Sequence, residues 1–149
     1  MGEHADDAIA WEIAHGRMRP PRVKTKRPPP PCPYCGAQAR FADSKEIYKV
    51  ASYGMVWLCG NYPRCDAYVG AHYASGDAKG TLANARLREW RKFAHARFDP
   101  LWRDGRMTRG AAYSLFQRLM ALSPDQAHIG LLSEAQCLEL TEKLKAAGY

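Results

Sequence analysis

The sequence lacks a long hydrophobic run. No stretch approaches the roughly 18 consecutive apolar residues that a membrane-spanning helix needs, so no membrane span is predicted. The N-terminal stretch MGEHADDAIAWEIAHG also lacks the basic start and the long apolar segment of a secretory signal. We therefore expect a cytoplasmic protein.

Cysteines and acidic residues are few. There are five cysteines, and this odd number does not suit a fully paired disulfide framework. In a reducing compartment, thiols in this number are more often metal ligands. The 15 acidic residues are outnumbered by 22 lysines and arginines, which gives a net charge of +7 and a pI of about 9.3. This excess favours a polyanionic partner, chiefly nucleic acid.

A catalytic constellation is also missing from the sequence. His72, His95 and His128 fall on three different predicted elements, and no short motif links them. No recognisable motif places paired carboxylates for Mg²⁺. We therefore predict that the chain is not an enzyme.

Composition divides the chain into four segments: a possible short helix (1–16), a basic proline-rich linker (17–31), a cysteine-containing module (32–73) and a helical domain (81–149). The linker's prolines block helix formation and favour an extended chain. It is either a solvated spacer or a basic arm that lies along a phosphate backbone. Its six bases are Arg17, Arg19, Arg22, Lys24, Lys26 and Arg27.

Short alternating stretches at 39–44, 46–54 and 55–59 predict small antiparallel strands in the cysteine-containing module. The glycine-rich segment 75–80 predicts a flexible joint after it. No internal repeat is visible.

The helical domain shows several start signals. Thr81 is the predicted cap of a helix over 82–97, and Thr108 is that of a second helix. Ser133 and Gln136 form the pattern of a capping box at the start of the last helix. The predicted fold class is α+β, with a small antiparallel ribbon that carries most of the cysteines, followed by a bundle of about three helices.

Four of the cysteines form two pairs. Two residues separate Cys32 from Cys35, and five separate Cys59 from Cys65. Four thiolates arranged in a tetrahedron are a closed shell for Zn²⁺, with no position left for water or substrate. We therefore predict one structural zinc ion, although four sulfurs also suit iron. His72 is a rival ligand.

Aromatic and basic residues are the candidate nucleic-acid contacts. Exposed rings stack on unpaired bases, and the candidates for stacking are Phe41, Tyr48 and Tyr62. Trp57, next to a ligand on an apolar strand, is expected to be structural. The predicted phosphate contacts are the bases Arg40, Lys45, Lys49, Arg64, Arg88, Arg91 and Lys92.

The segment from Val56 to Cys65, VWLCGNYPRC, resembles the second half of the zinc ribbons at the C-terminus of type IA DNA topoisomerases. The opening Cys-Pro-x-Cys-Gly at Cys32 matches those modules too, although Trp57 stands one place nearer the cysteine than their aromatic residue does. This resemblance covers about 40 residues and implies a ribbon that binds DNA, particularly single strands. It does not imply topoisomerase activity, because the chain is too short for that catalytic core.

A second resemblance depends on segments that follow the cysteine pairs: Gly80–Ala83, His95–Trp102, Met107–Arg109, Ala112–Tyr113 and His128–Gly130. With these segments, the whole stretch from Cys32 to the C-terminus resembles a zinc-finger-containing family common in phage and prophage genomes. The resemblance implies the architecture and a phage origin, and hence a location in the host cytoplasm.

Two functions fit these observations. The first is a zinc-ribbon accessory protein that binds nucleic acid, with single-stranded DNA favoured. The alternative is a protein-interaction module that binds and modulates a host protein.

Overall fold

The computed structural model describes residues 3–19 and 25–149. It divides the chain into two compact units, one within the first 84 residues and one from Ala85 to Tyr149. Arg22 and Lys24, two bases of the predicted arm, lie outside the described residues. Within the part that is described, no helix has both the length and the apolar character needed to cross a bilayer.

The first unit contains a three-stranded antiparallel sheet. It begins with helix α1 (Glu3–Ala14), followed by strand β1 (Ala39–Asp43) and the short helix α2 (Lys45–Tyr48). Strands β2 (Met55–Cys59) and β3 (Tyr68–Gly70) complete the sheet, whose order is β1-β2-β3.

Strand register explains how the two cysteine pairs meet. Ala39, at the start of β1, lies opposite Cys59, at the end of β2. The chain before β1 therefore lies at the same end of the sheet as the end of β2 and the turn that follows it, and these segments carry the two pairs. Trp57 is buried beside the cysteines, together with Leu82, so its predicted structural role is confirmed.

The strand predicted over 46–54 is wrong. Residues 45–48 form α2, and the rest of the segment folds back as a loop. Buried Ser44 holds this loop, since its Oγ accepts a hydrogen bond from the Tyr53 amide at 2.7 Å and its amide donates to the Gly54 carbonyl at 2.9 Å. The hydrogen bonds of buried Ser44 thus stabilise a loop where the alternating pattern predicts a strand.

The flexible joint predicted at 75–80 is also wrong. Ala71 pairs with Ala78, and the Lys79 amide donates to the Gly70 carbonyl at 2.8 Å, so the segment is a hydrogen-bonded hairpin. Backbone pairing continues to Ala83, which exchanges two hydrogen bonds with Tyr68.

The second unit is helical. Its longer helices are α3 (Ala85–Phe98), α5 (Arg109–Met120) and α6 (Glu134–Ala146). The short helix α4 (Pro100–Arg103) and a 3-10 turn (Ile129–Leu131) lie between them. Together with the sheet, these helices confirm the α+β class. The buried core includes Phe98, Leu101, Phe116, Leu132, Leu140 and Leu144.

Two of the predicted caps are confirmed. The Thr108 side chain accepts a hydrogen bond from the Ala111 amide at 3.1 Å, and both bonds of the capping box between Ser133 and Gln136 are present. The cap predicted at Thr81 is wrong, because α3 begins only at Ala85. The residues just before α3 belong to the first unit, because Ala83 pairs with Tyr68.

Arg91 is not the phosphate contact that the sequence predicts. It is buried, and its Nε and Nη2 atoms both donate to the Leu132 carbonyl at 3.2 Å. The guanidinium therefore joins α3 to the chain just before α6, and it is not available to a phosphate.

Candidate metal centre

The four predicted ligands come together at one end of the sheet. The Sγ atoms of Cys32 and Cys65 are 3.6 Å apart, and those of Cys35 and Cys59 are 3.3 Å apart. All four sulfur atoms lie within 4.8 Å of one another. Four Zn–S bonds of ~2.3 Å in a regular tetrahedron require sulfur separations of about 3.8 Å, so the thiols fit this ion.

A tight turn presents the first pair. The Gly36 amide donates to the Cys32 carbonyl at 2.9 Å, and the Cys32 amide donates to the Ala37 carbonyl at 2.8 Å. Gly36 has a φ of 77°, in the left-handed region that favours glycine. The Cys-x-x-Cys-Gly spacing therefore encodes the turn as well as the ligands.

The second pair lies on a wider turn between β2 and β3. The Cys65 amide donates to the Asn61 carbonyl at 3.1 Å, and the Cys59 amide donates to the Ala67 carbonyl at 2.9 Å. Gly60 lies against the first turn, because its amide donates to the Gln38 carbonyl at 3.2 Å. A Cβ at Gly60 would lie 2.7 Å from that oxygen, so only glycine allows this close approach.

Backbone and side-chain amides surround the sulfur atoms. Asn61 donates its backbone N–H to Cys59 and its side-chain Nδ2 to Cys35, both at 3.4 Å. The amides of Ala37 and Ala67 donate to Cys35 and Cys65. Such donors stabilise the net negative charge that four thiolates keep around Zn²⁺. The sequence analysis did not select Asn61 as a contact of the metal centre.

These contacts and burial separate the pKa values of the thiols. The hydrogen bond from the Ala37 amide, assisted by those from Cys59 and Asn61, lowers the pKa of Cys35 to about 6. Burial raises the pKa of Cys59 to about 12. Because zinc binds thiolates, its binding here releases the proton of Cys59.

The fifth cysteine is remote from this cluster. Cys137 is fully buried in the core of the second, helical unit. Burial also raises the pKa of this thiol, which is therefore an inert core residue.

The hairpin at residues 71–78 repeats the first cysteine turn without its thiols. The His72 amide donates to the Asp77 carbonyl and the Gly76 amide donates to the His72 carbonyl, both at 2.8 Å. Gly76 has a φ of 76° and accepts a hydrogen bond from Trp57 Nε1 at 2.8 Å. In this correspondence His72 takes the place of Cys32 and Ser75 that of Cys35. Among the described residues, the clustered donor atoms are those of the four cysteines and do not include His72.

Comparison with known protein families supports the same centre. The sequence profile of a zinc-finger-containing domain matches residues 29–147, which is most of the chain. The chain belongs to this zinc-finger-containing domain family. The four clustered cysteines of the zinc-finger-containing domain are its site for one structural zinc ion. Comparisons with curated proteins and with solved structures gave no match.

Several of the predicted nucleic-acid contacts are exposed in the first compact unit, within residues 1–84, which we call the ribbon unit. Lys45, Tyr48 and Lys49 lie on α2 and at its end, and all three are exposed. Tyr53, which the sequence analysis did not select, lies next to them, with its ring centroid 5.3 Å from that of Tyr48.

Other predicted contacts are partly engaged. Arg40 makes two hydrogen bonds to the Glu46 carboxylate, at 3.0 and 2.6 Å, so its charge is locally offset. Half-buried Tyr62 packs against the apolar cluster that contains Leu58, and half-buried Phe41 packs against Trp57. Arg64 is exposed.

The remaining candidates lie on α3 in the helical unit. Lys92 is exposed and bonds to Glu89 at 2.9 Å, and Arg88 is half-buried.

In the ribbon unit, the described end of the linker contacts the thiol-free turn. Thr25 donates to the Asp77 carboxylate, and Arg27 lies 3.8 Å from it.

Proposed function

We propose that this zinc-finger-containing domain binds single-stranded DNA through its ribbon unit, as an accessory protein and not as an enzyme. The observation that supports this most is the exposed edge-to-face pair of Tyr48 and Tyr53, flanked by Lys45 and Lys49. We call these four residues the α2 patch.

The α2 patch has the two components that single-strand binding needs. Its tyrosine side chains are 44% and 48% exposed, so unpaired bases reach both rings. Stacking on an aromatic side chain contributes about 1–3 kcal/mol per base, whatever the base. The lysine ammonium groups supply attraction to the phosphates, which is strongly salt-dependent.

Zinc has a structural role in this proposal. Strand β1 leads directly from the first cysteine turn to the loop that carries the α2 patch, and β2 leads from that loop to the second turn. The two turns are the two chain ends of the segment β1–α2–β2. An ion that joins the turns therefore holds together the two strands that support the patch. Removing it is expected to disorder the patch.

A fluorescence anisotropy titration of the zinc-loaded full chain tests the proposal. Single-stranded and duplex DNA of mixed sequence are compared at about 50 and 200 mM salt. We expect tighter binding to the single strand, with affinity falling steeply as salt rises. Absence of binding at low salt would refute the proposal.

Variants then assign the binding to the α2 patch. Tyr48→Ala and Tyr53→Ala are each expected to weaken binding at least about fivefold, the loss of one stacked base. Tyr149→Ala is the matched control, since Tyr149 is 41% exposed but lies at the end of the helical unit. Lys49→Ala is likewise expected to weaken binding, through the loss of one charge. Lys145→Ala, which removes an exposed lysine of the helical unit, is its matched control.

A phage origin is part of the proposal. It is supported by the resemblance to a family common in phage genomes. Phage genes next to this one would support it, and their absence would contradict it.

Exposed apolar side chains in the helical unit favour a second candidate function. Phe93, Leu131 and Leu138 are 51%, 42% and 41% exposed. Aromatic side chains such as Phe93 are enriched in protein–protein interfaces relative to the rest of the surface. If DNA binding fails, we propose that this unit binds a host protein. Pull-down with Phe93→Ala as the negative variant would test this alternative.

A further inference from the structure

The ribbon unit contains a cavity of about 190 Å³ that is separate from the cysteines. Asp43, at the end of β1, pairs with Met55, at the start of β2, so these residues mark the sheet end opposite to Ala39 and Cys59. Met55 lines the cavity, as does the neighbouring Ser44. The cavity therefore lies toward the end of the sheet away from the metal centre.

Aromatic rings form much of its wall. Five of the lining residues are aromatic: Phe41, Tyr48, Tyr53, Tyr68 and Tyr73. The hydroxyl groups of Tyr48 and Tyr68 lie 3.4 Å apart, so the wall carries polar groups as well as ring faces. Helix α1 closes another side with Ile9, Ala10 and Ile13.

A lysine stem crosses the strand beside this cavity. Lys79 lines it, and a Cβ placed on Gly70 would lie 3.4 Å from Lys79 Cδ and 3.9 Å from Cε. The absence of a side chain at Gly70 thus leaves room for the lysine over β3. The cavity therefore combines ring faces, hydroxyl groups and a cationic side chain, which are the groups that recognise a nucleotide.

We propose that this cavity binds one unpaired pyrimidine base, and this inference rests on the proposed binding of single-stranded DNA. A cavity of about 150 Å³ accommodates benzene, so about 190 Å³ accommodates a six-membered ring with its carbonyl oxygens. A purine has a second fused ring and fits less well. Tyr48 and Tyr53 belong both to the cavity wall and to the α2 patch. One base enters the cavity while its neighbours in the strand stack outside.

Filling the cavity tests the inference. Ala10→Phe adds a ring on the α1 side of the cavity, while Ala8→Phe adds the same ring at an exposed position of the same helix. Anisotropy is measured with oligothymidylate and oligoadenylate of equal length. We expect the wild type and Ala8→Phe to prefer oligothymidylate about tenfold, and Ala10→Phe to lose that preference.

A second measurement does not depend on a variant. In an NMR titration with oligothymidylate, we expect the amide resonances of Met55, Val56 and Gly70 to shift. Thymidine monophosphate should shift the same resonances at higher concentration if the cavity recognises the base itself. Shifts with the oligonucleotide alone would mean that the strand is also required, and the cavity assignment would still hold.

The outcomes separate this inference from the proposed function. Equal affinity for the two oligonucleotides, with the cavity resonances unchanged and Tyr48→Ala still weakening binding, would overturn the inference and leave DNA binding intact. An Ala10→Phe variant that binds like the wild type would also overturn it. No binding to either oligonucleotide at low salt would overturn both proposals.

Discussion

The Gly60 amide donates to the Gln38 carbonyl at 3.2 Å, and a Cβ on Gly60 would lie 2.7 Å from the same oxygen. Gln38 follows the first cysteine turn and Gly60 lies within the second, so this contact sets how closely the turns approach. The zinc site therefore depends on a residue that is not a ligand.

Gly60→Ala is accordingly expected to weaken zinc binding while retaining all four thiols. Forcing the two turns apart costs about 1–3 kcal/mol, which corresponds to a loss of roughly fivefold to 150-fold in zinc affinity. Competition with a chromophoric chelator measures it. Gly110→Ala is the control, because nothing lies within 4 Å of its new Cβ, and it should bind zinc like the wild type. Equal affinity of the two variants would contradict the role given to Gly60.

Removal of the metal is expected to unfold one unit only. The ribbon core is thin, and structural zinc in small modules supplies about 10–16 kcal/mol of binding free energy. The helical unit has its own core around Phe98, Phe116 and Leu140. Chelation should therefore abolish the dispersed NMR signals of the ribbon unit and retain those from Ala85 onward.

Cysteine variants provide the matched comparison for that experiment. Cys59→Ser should lose stoichiometric zinc by elemental analysis, whereas Cys137→Ala should keep it. Cys137→Ala removes a buried sulfur from the helical core instead, so its effect should appear as a lower melting temperature of the second unit. A Cys59→Ser protein with full zinc content and an intact ribbon would contradict the metal centre.

The zinc ligands were predictable from the sequence because their spacing encodes both donors and turns. The caps at Thr108 and Ser133 were predictable for a similar reason, since each acts on residues three positions away. The hairpin over 71–78 was missed because its turn contains His72 and Ser75 in place of thiols. Only Gly76 signals the same backbone conformation, and glycines in a short polar segment also fit a flexible joint.

Contacts between distant residues account for the other errors. The sequence predicts Arg91 as a phosphate contact, but the Leu132 carbonyl, 41 residues further on, accepts its hydrogen bonds. Ser44 holds Tyr53 across nine residues and so converts an alternating stretch into α2 and a loop. The partners, Leu132 and Tyr53, lie too far along the chain for a local sequence pattern to reveal either contact.

Arg91→Ala is expected to destabilise the helical unit. It leaves the Leu132 carbonyl without the two guanidinium bonds, and an unsatisfied buried group costs about 1–3 kcal/mol. Thermal unfolding followed by circular dichroism measures the loss. Lys92→Ala, one residue further along α3, removes an exposed ion pair with Glu89 and should cost under about 0.5 kcal/mol. Similar melting temperatures for the two variants would show that the buried contact is unimportant.

Glu46→Gln is expected to strengthen DNA binding, if the proposed function is correct. In the wild type the Glu46 carboxylate bonds to both Nη atoms of Arg40, which raises the pKa of Arg40 and lowers that of Glu46. The variant removes one negative charge near the α2 patch and leaves Arg40 at most a neutral hydrogen bond to the Gln amide oxygen, so a phosphate can compete for the guanidinium.

The salt dependence of binding distinguishes this mechanism from a general change in charge. One additional phosphate contact on a single strand should steepen the plot of log affinity against log salt by about 0.7. Arg40→Ala combined with Glu46→Gln removes the new phosphate contact but keeps the neutral amide at position 46. If the double variant has the same steep slope as Glu46→Gln, Arg40 does not bind phosphate and the tighter binding comes from the lost acid alone.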